Sequence, residues 1–168
     1  MLLHDTARLL ARYQGVERRL FKVFGRWSMD TEQPDVARLF AEQAHHHAWH
    51  AELWAQRRPV LHDLDASTLE LPVAGVLGAG VEDGVDRLSV LAEGVLPELV
   101  GIYEAHLAAS DPVADGPVIR ALRLVTADEN ADWRAARSLL AALAPEGAGA
   151  ERSVARQSIV AALVAPLR

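Results

Sequence analysis

The chain contains no cysteine. That excludes thiolate ligation of zinc or iron–sulfur clusters and catalytic thiols, and it leaves carboxylates and imidazoles as the only strong metal ligands. The absence suits a reducing compartment, and a cytoplasmic location is the expectation. Lysine is almost missing as well: Lys22 is the single lysine among 17 basic residues. With a net charge of -6, the composition argues against general nucleic-acid binding, which needs clustered positive charge. Long apolar runs are also lacking. The opening MLLHDTARLLARYQG mixes charges into its apolar residues, so export is not expected. The longest weakly charged stretch, Leu69 to Val81, is too short and glycine-rich to span a bilayer. The segment after it carries Glu82, Asp83, Asp86 and Glu93, so a soluble protein without membrane association is expected.

What is present is helical periodicity. At 168 residues and 51% hydrophobic, the chain fits one domain, residues 1–168, with a core that needs no staples. A first helix is expected from about Leu2 to Trp27, with Leu2, Leu9, Leu10, Tyr13, Val16, Leu20, Phe24 and Trp27 on one side. Arg8, Arg12, Arg18, Arg19, Lys22 and Arg26 fall opposite. After SMDTEQP, Pro34 suits the first turn of a second helix ending near Arg58. Pro59 to Gly84, broken by Pro72 and several glycines, reads as a long connection. A third helix follows from about Val85 to Ser110, bent at Pro97. A fourth runs from about Pro117 to Ala144, with Val118, Leu122, Val125, Ala136, Leu140 and Leu143 on one face. PEGAGA then separates off a short fifth helix, about Arg152 to Val164, which could cover the bundle or a partner subunit and so leaves a homodimer open. Two helical hairpins joined by a long middle link match a four-helix bundle whose link crosses the length of the molecule.

Several polar residues face inward on this plan. Glu17 is the only acid within the apolar arc of helix 1, and a buried carboxylate calls for a cation, a metal or hydrogen-bond donors. An arginine from another helix would also satisfy it. Glu129 lies at the centre of the apolar arc of helix 4, with Asp132 one turn later on the same face. Helix 2 carries EQAHHHAWHAELW, residues 42–54. Leu39 and Leu53 mark its inward direction; Glu42, His46, Trp49 and His50 lie near that direction, His45 lies at the edge and His47 points elsewhere. Glu42 with His45 makes Glu-x-x-His, a spacing that brings a carboxylate and an imidazole to the same ion or pair of ions. The wheel itself prefers Glu42 with His46, or His46 with His50. His106 adds an inward imidazole on helix 3, where the packed-core reading leads.

At Glu17, EQAH (Glu42 and His45) and ENAD (Glu129 and Asp132), the chain resembles the ferritin-like superfamily of carboxylate-bridged di-iron or di-manganese proteins, including rubrerythrin-type proteins and tRNA hydroxylase-type oxygenases. The resemblance covers about Leu2 to Leu143 and implies an all-α, ferritin-like four-helix bundle. That family draws one Glu from helix 1, Glu-x-x-His from helix 2, one Glu from helix 3 and Glu-x-x-His from helix 4. Here Asp132 stands where the last histidine would be. On helix 3, Glu104 repeats the spacing of the first hairpin but lies on the polar side, and Glu98 lies at the edge of the apolar face. The resulting candidate ligands are Glu17, Glu42, His45, His46, Glu129 and Asp132, with Glu98, Glu104 or His106 open on helix 3. Oxygen and imidazole donors suit iron or manganese, with zinc also compatible.

The resemblance implies a metal-dependent oxidoreductase or hydroxylase acting on a small-molecule substrate. Tyr13, Trp49, Tyr103 and Trp133 would line its pocket or carry redox equivalents, or else serve as ordinary core aromatics. The alternative is a bundle without metal catalysis, serving as a binding or assembly module. RNA modification is a third reading, prompted by the resemblance and by the basic face of helix 1, although such a face is usually only solvated.

Overall fold

The computed structural model describes residues 3–61, 81, 83–144 and 150–167. Among them every regular element is helical. Helix α1 is Leu3–Asp30 and α2 is Pro34–Arg57. Helix α3 is continuous in three segments: Gly84–Val90, a π-helical Leu91–Val95, and Leu96–Ala109. Helix α4 is Gly116–Leu143, and α5 is Ala150–Val164, followed by a 3₁₀ turn, Ala165–Leu167. Proline occupies the first turn of α2 and α4, where its missing N–H has no intrahelical partner to lose. The Asp83 side chain caps α3 by accepting from the backbone of Val85 and Asp86 at 2.8 and 3.2 Å.

Contacts across the bundle set the helix directions. Glu17 meets His47 while Phe24 stacks on Phe40, so α1 and α2 are antiparallel. His50 faces Asp128 and His46 faces Asp132, so α2 and α4 are antiparallel. Tyr13 reaches His106 and Trp27 lies beneath Arg87, so α1 and α3 are antiparallel. It follows that α2 and α3 run the same way. The last turn of α2 packs Trp54 on Tyr13 and Tyr103, whereas α3 begins beside Thr31 and Gln33 at the opposite end. Most of the expected long connection, residues 62–80 and 82, lies outside the described residues.

Just before Pro97, where a bend is expected, the helix holds the π segment. Pro97 has no N–H to donate, and the Leu96 N–H bonds to the Leu91 carbonyl, one residue further back than in an α-helix. The Ala92 carbonyl is thereby left without a helical donor, and the Trp133 indole supplies one at 2.7 Å. Trp133 thus completes the backbone of α3, a role distinct from lining a pocket.

Helix α5 covers the bundle through buried Ile159, Val160, Leu163 and Val164. Gly94 in the π segment permits the approach: a Cβ there would sit 2.3 Å from Val160 Cγ2. Arg19, expected on the outer basic face of α1, instead donates to the Ala162 carbonyl and ties α5 down. Within the four long helices, Trp27, Trp54, Phe24, Phe40, Tyr13 and Tyr103 are fully buried. Each such ring is worth roughly 1.5–3 kcal/mol on burial, which helps offset the cost of the charged groups enclosed between them.

Candidate metal centre

Four charged or polar side chains from three helices converge at mid-bundle with no exposed surface: Glu17 of α1, His47 and His50 of α2, and Glu129 of α4. One ligand-capable atom from each can be chosen so that all lie within 4.8 Å of one another. His47 Nδ1 is 2.6 Å from Glu17 Oε2 and 3.4 Å from Glu129 Oε1. His50 Nδ1 is 3.2 Å from Glu129 Oε1 and 3.7 Å from Glu17 Oε2, close but out of line for a hydrogen bond. On its other side, His50 Nε2 lies 3.3 Å from Oδ2 of Asp128, a half-exposed carboxylate. With Asp128 accepting from Nε2–H, Nδ1 is the nitrogen turned towards the cluster. The fourth side is α3, which contributes Tyr103; its hydroxyl donates to Glu17 Oε1.

The polar atoms of this cluster are not all satisfied. Both oxygens of Glu129, Nδ1 of His50 and Nε2 of His47 are buried without a hydrogen-bond partner. Two carboxylates and two imidazoles facing each other require positive charge. Protons on the rings are one source and a divalent cation is the other. In the ion-free cluster, burial pushes the Glu17 carboxyl up, but the charge and hydrogen bond of His47, with His50 close by, outweigh it and hold Glu17 down to about 2. Burial pushes His50 down, and its contacts with Glu129 and Glu17 reverse this and carry it up to about 11. His47 is raised too, the Glu129 and Glu17 charges overcoming burial. Burial wins at Glu129, whose carboxyl stays above its ordinary value despite both histidines. Tyr103 is raised by burial and by the two carboxylates.

Of the six ligands expected from sequence, Glu17 and Glu129 meet here. Glu42 lies on the exposed surface, paired with Arg38 at 2.7 Å. His45 is exposed beside His46. His46 sits on the rim, its Nδ1 2.7 Å from Asp132 Oδ2, and Asp132 is buried in that pair, not among the four. On α3, Glu104 is exposed and Glu98 partly so, while His106 bonds to Tyr13. Trp49 is 44% exposed. Among the described residues neither buried glutamate pairs with an arginine; their partners there are the two imidazoles and a phenol.

The expectation that His47 points elsewhere is overturned: it is fully buried. Val36, Phe40, Gln43, His47, His50 and Trp54 form the most deeply enclosed stripe of α2. Leu39 and Leu53, at 5% and 9% exposure, sit on its flank, so the inward direction drawn from them is about 80° off. The aromatic ends Phe40 and Trp54, repeating at helical spacing with His47 between them, were the usable signal.

Fold and site together define an all-helical protein with a buried cluster of two histidines and two glutamates. Comparison with family models, with curated protein sequences and with solved structures gives no match. Among the described residues, no helix is long and apolar enough to cross a membrane.

Proposed function

We propose that the chain is a metalloprotein of ferritin-like plan, in which Glu17, His47, His50 and Glu129 hold one divalent first-row metal ion, iron or manganese, for oxidoreductase chemistry with a small oxidant. The observation that carries this is the orphaned polar atoms of Glu129 and His50, gathered with a ligand-capable atom each of Glu17 and His47. The parallel course of α2 and α3 supports the ferritin-like plan. Two imidazoles with two carboxylates match the donor preference of iron(II) and manganese(II), with zinc as a competitor. One ion fits better than the two implied by the resemblance, because α3 brings Tyr103 where a further carboxylate would be needed to bridge a pair.

When bound, such an ion supplies one-electron redox capacity or Lewis acidity. The surrounding residues have separate tasks. Asp128 orients His50, the Tyr103 hydroxyl donates a hydrogen bond to Glu17, and the rings of Phe24 and Trp49 flank the two histidines. Glu17, His47, His50 and Glu129 have no exposed surface, so a diatomic or peroxide oxidant suits the centre better than a bulky substrate.

A second reading is favoured by the histidine protonation: imidazolium and carboxylate charges neutralise one another, and the cluster serves only to lock a binding or assembly module. Anaerobic titration with iron(II), then exposure to dioxygen or peroxide, separates the two. Stoichiometric uptake followed by an oxidant-dependent absorption change supports the first; no uptake of iron, manganese or zinc overturns it.

A further inference from the structure

The chain has only two tyrosines, and both lie in one aromatic cluster that begins at the buried centre. Tyr103 bonds to Glu17. Its ring meets Tyr13 edge-on with centroids 4.9 Å apart, and Trp54 packs against Tyr13 at 5.1 Å and Tyr103 at 5.7 Å. Beyond them, the Tyr13 hydroxyl lies 3.0 Å from Nδ1 of the partly buried His106. The result is a continuous path of electron-rich rings, from a carboxylate of the candidate centre to an imidazole near the surface on α3. Such rings are the side chains best able to give up one electron, and a phenol does so readily only when a base takes its proton in the same event.

We infer that Tyr13 is a redox-active tyrosine: a one-electron oxidant at the buried centre or in solution removes an electron from its ring while the hydroxyl proton passes to Nδ1 of His106, with Tyr103 and Trp54 relaying the electron towards Glu17. The O–H bond of Tyr13 breaks, an N–H bond forms on His106, and the oxidant is reduced by one electron. A neutral phenoxyl and an imidazolium result. A one-electron reductant and return of the same proton restore both residues. Tyr103 is the poorer terminus because, among the described residues, its acceptor is Glu17, a member of the charged cluster whose charge His47 requires. His106 has no such engagement, and burial keeps its imidazole towards the neutral, proton-accepting form, with the Asp115 charge only partly opposing. The inference depends on the proposed metal function only for the identity of the natural oxidant.

The test uses the metal-free chain carrying Trp49→Phe, which removes an exposed competing indole. Flash-generated tris(bipyridine)ruthenium(III) serves as oxidant, read by transient absorption and electron paramagnetic resonance. A tyrosyl signal is expected. It should be largely lost in Tyr13→Phe, persist in Tyr103→Phe, and form roughly a hundredfold more slowly in His106→Gln, where the base is gone. An absent signal, one carried by Tyr103, or one indifferent to His106→Gln overturns the assignment. In a second arm, the wild-type chain is mixed with iron(II) and hydrogen peroxide. A Tyr13 signal there that vanishes in Tyr103→Phe supports the relay, and one that survives overturns it. If the chain takes up no iron while the photochemical arm succeeds, the metal function fails and the Tyr13 assignment stands.

Discussion

At His50 the two ring nitrogens meet different surroundings: Nε2 touches the half-exposed Asp128 and Nδ1 faces two buried glutamates. A carboxylate behind a ligating imidazole fixes its tautomer and raises its basicity. Asp128→Asn should therefore weaken iron(II) or manganese(II) binding roughly 10- to 100-fold, measured by calorimetric titration, with little change in helix content. The same residues dictate how the metal-free protein responds to pH. Glu17, held at about 2, contributes stability that is complete above its ordinary carboxyl value and lost as pH falls towards 2. His50, raised to about 11, contributes stability complete below its ordinary imidazole value and lost as pH rises towards 11. Glu129, raised, acts in the same sense as His50. The urea midpoint of the ion-free chain should peak in the mildly acidic range between those two ordinary values. Bound metal displaces ring protons, so added iron(II) or manganese(II) should move the optimum upward in pH. An unmoved optimum would count against ligation by these histidines. The acids of this site were legible because each fell within an otherwise apolar arc, Glu17 alone and Glu129 with Asp132 one turn on. The histidines were ambiguous because four occur within six positions, and every direction around α2 then holds one.

Helix α3 shows how one proline is accommodated by its neighbours. Pro97 removes a donor, the ladder slips by one residue, and Trp133 supplies the missing bond to Ala92. Trp133→Phe leaves a buried carbonyl unpaired and should cost about 1–3 kcal/mol in denaturant unfolding. Adding Pro97→Ala restores an N–H nearby, so the double variant should lose less than the two single costs combined. The contact between α3 and α5 depends on Gly94. Gly94→Ala drives a methyl into Val160 and should cost about 1–3 kcal/mol. Limited proteolysis should then cut α5 first, with partial rescue by Val160→Ala. A break in the helical hydrogen-bond ladder at Pro97 could be read from sequence, since the missing donor is local. The π register and its indole cap could not, because they depend on a residue of α4 brought near only by the fold.

For the molecule as a whole, helix number and order were readable from apolar periodicity and from proline and glycine at the ends. Observed boundaries for α2, α3 and α4 fall within a residue or two of expectation, and α1 runs one turn further, to Asp30. From sequence the fifth helix could cover either the bundle or a partner subunit because its apolar face is short; Gly94, Arg19 and Val160 show that it packs on the bundle. The same three-dimensional order brings glutamates distant in sequence onto one pair of histidines. The measurement that bears most directly on this account is metal content of the tag-free chain after anaerobic loading, together with the anomalous scattering of a crystal of the loaded protein. The account predicts one ion per chain, bounded by Glu17, His47, His50 and Glu129, and lost in Glu129→Gln. A chain that retains no ion, or an ion that sits at His45 and His46 on the rim, would contradict it.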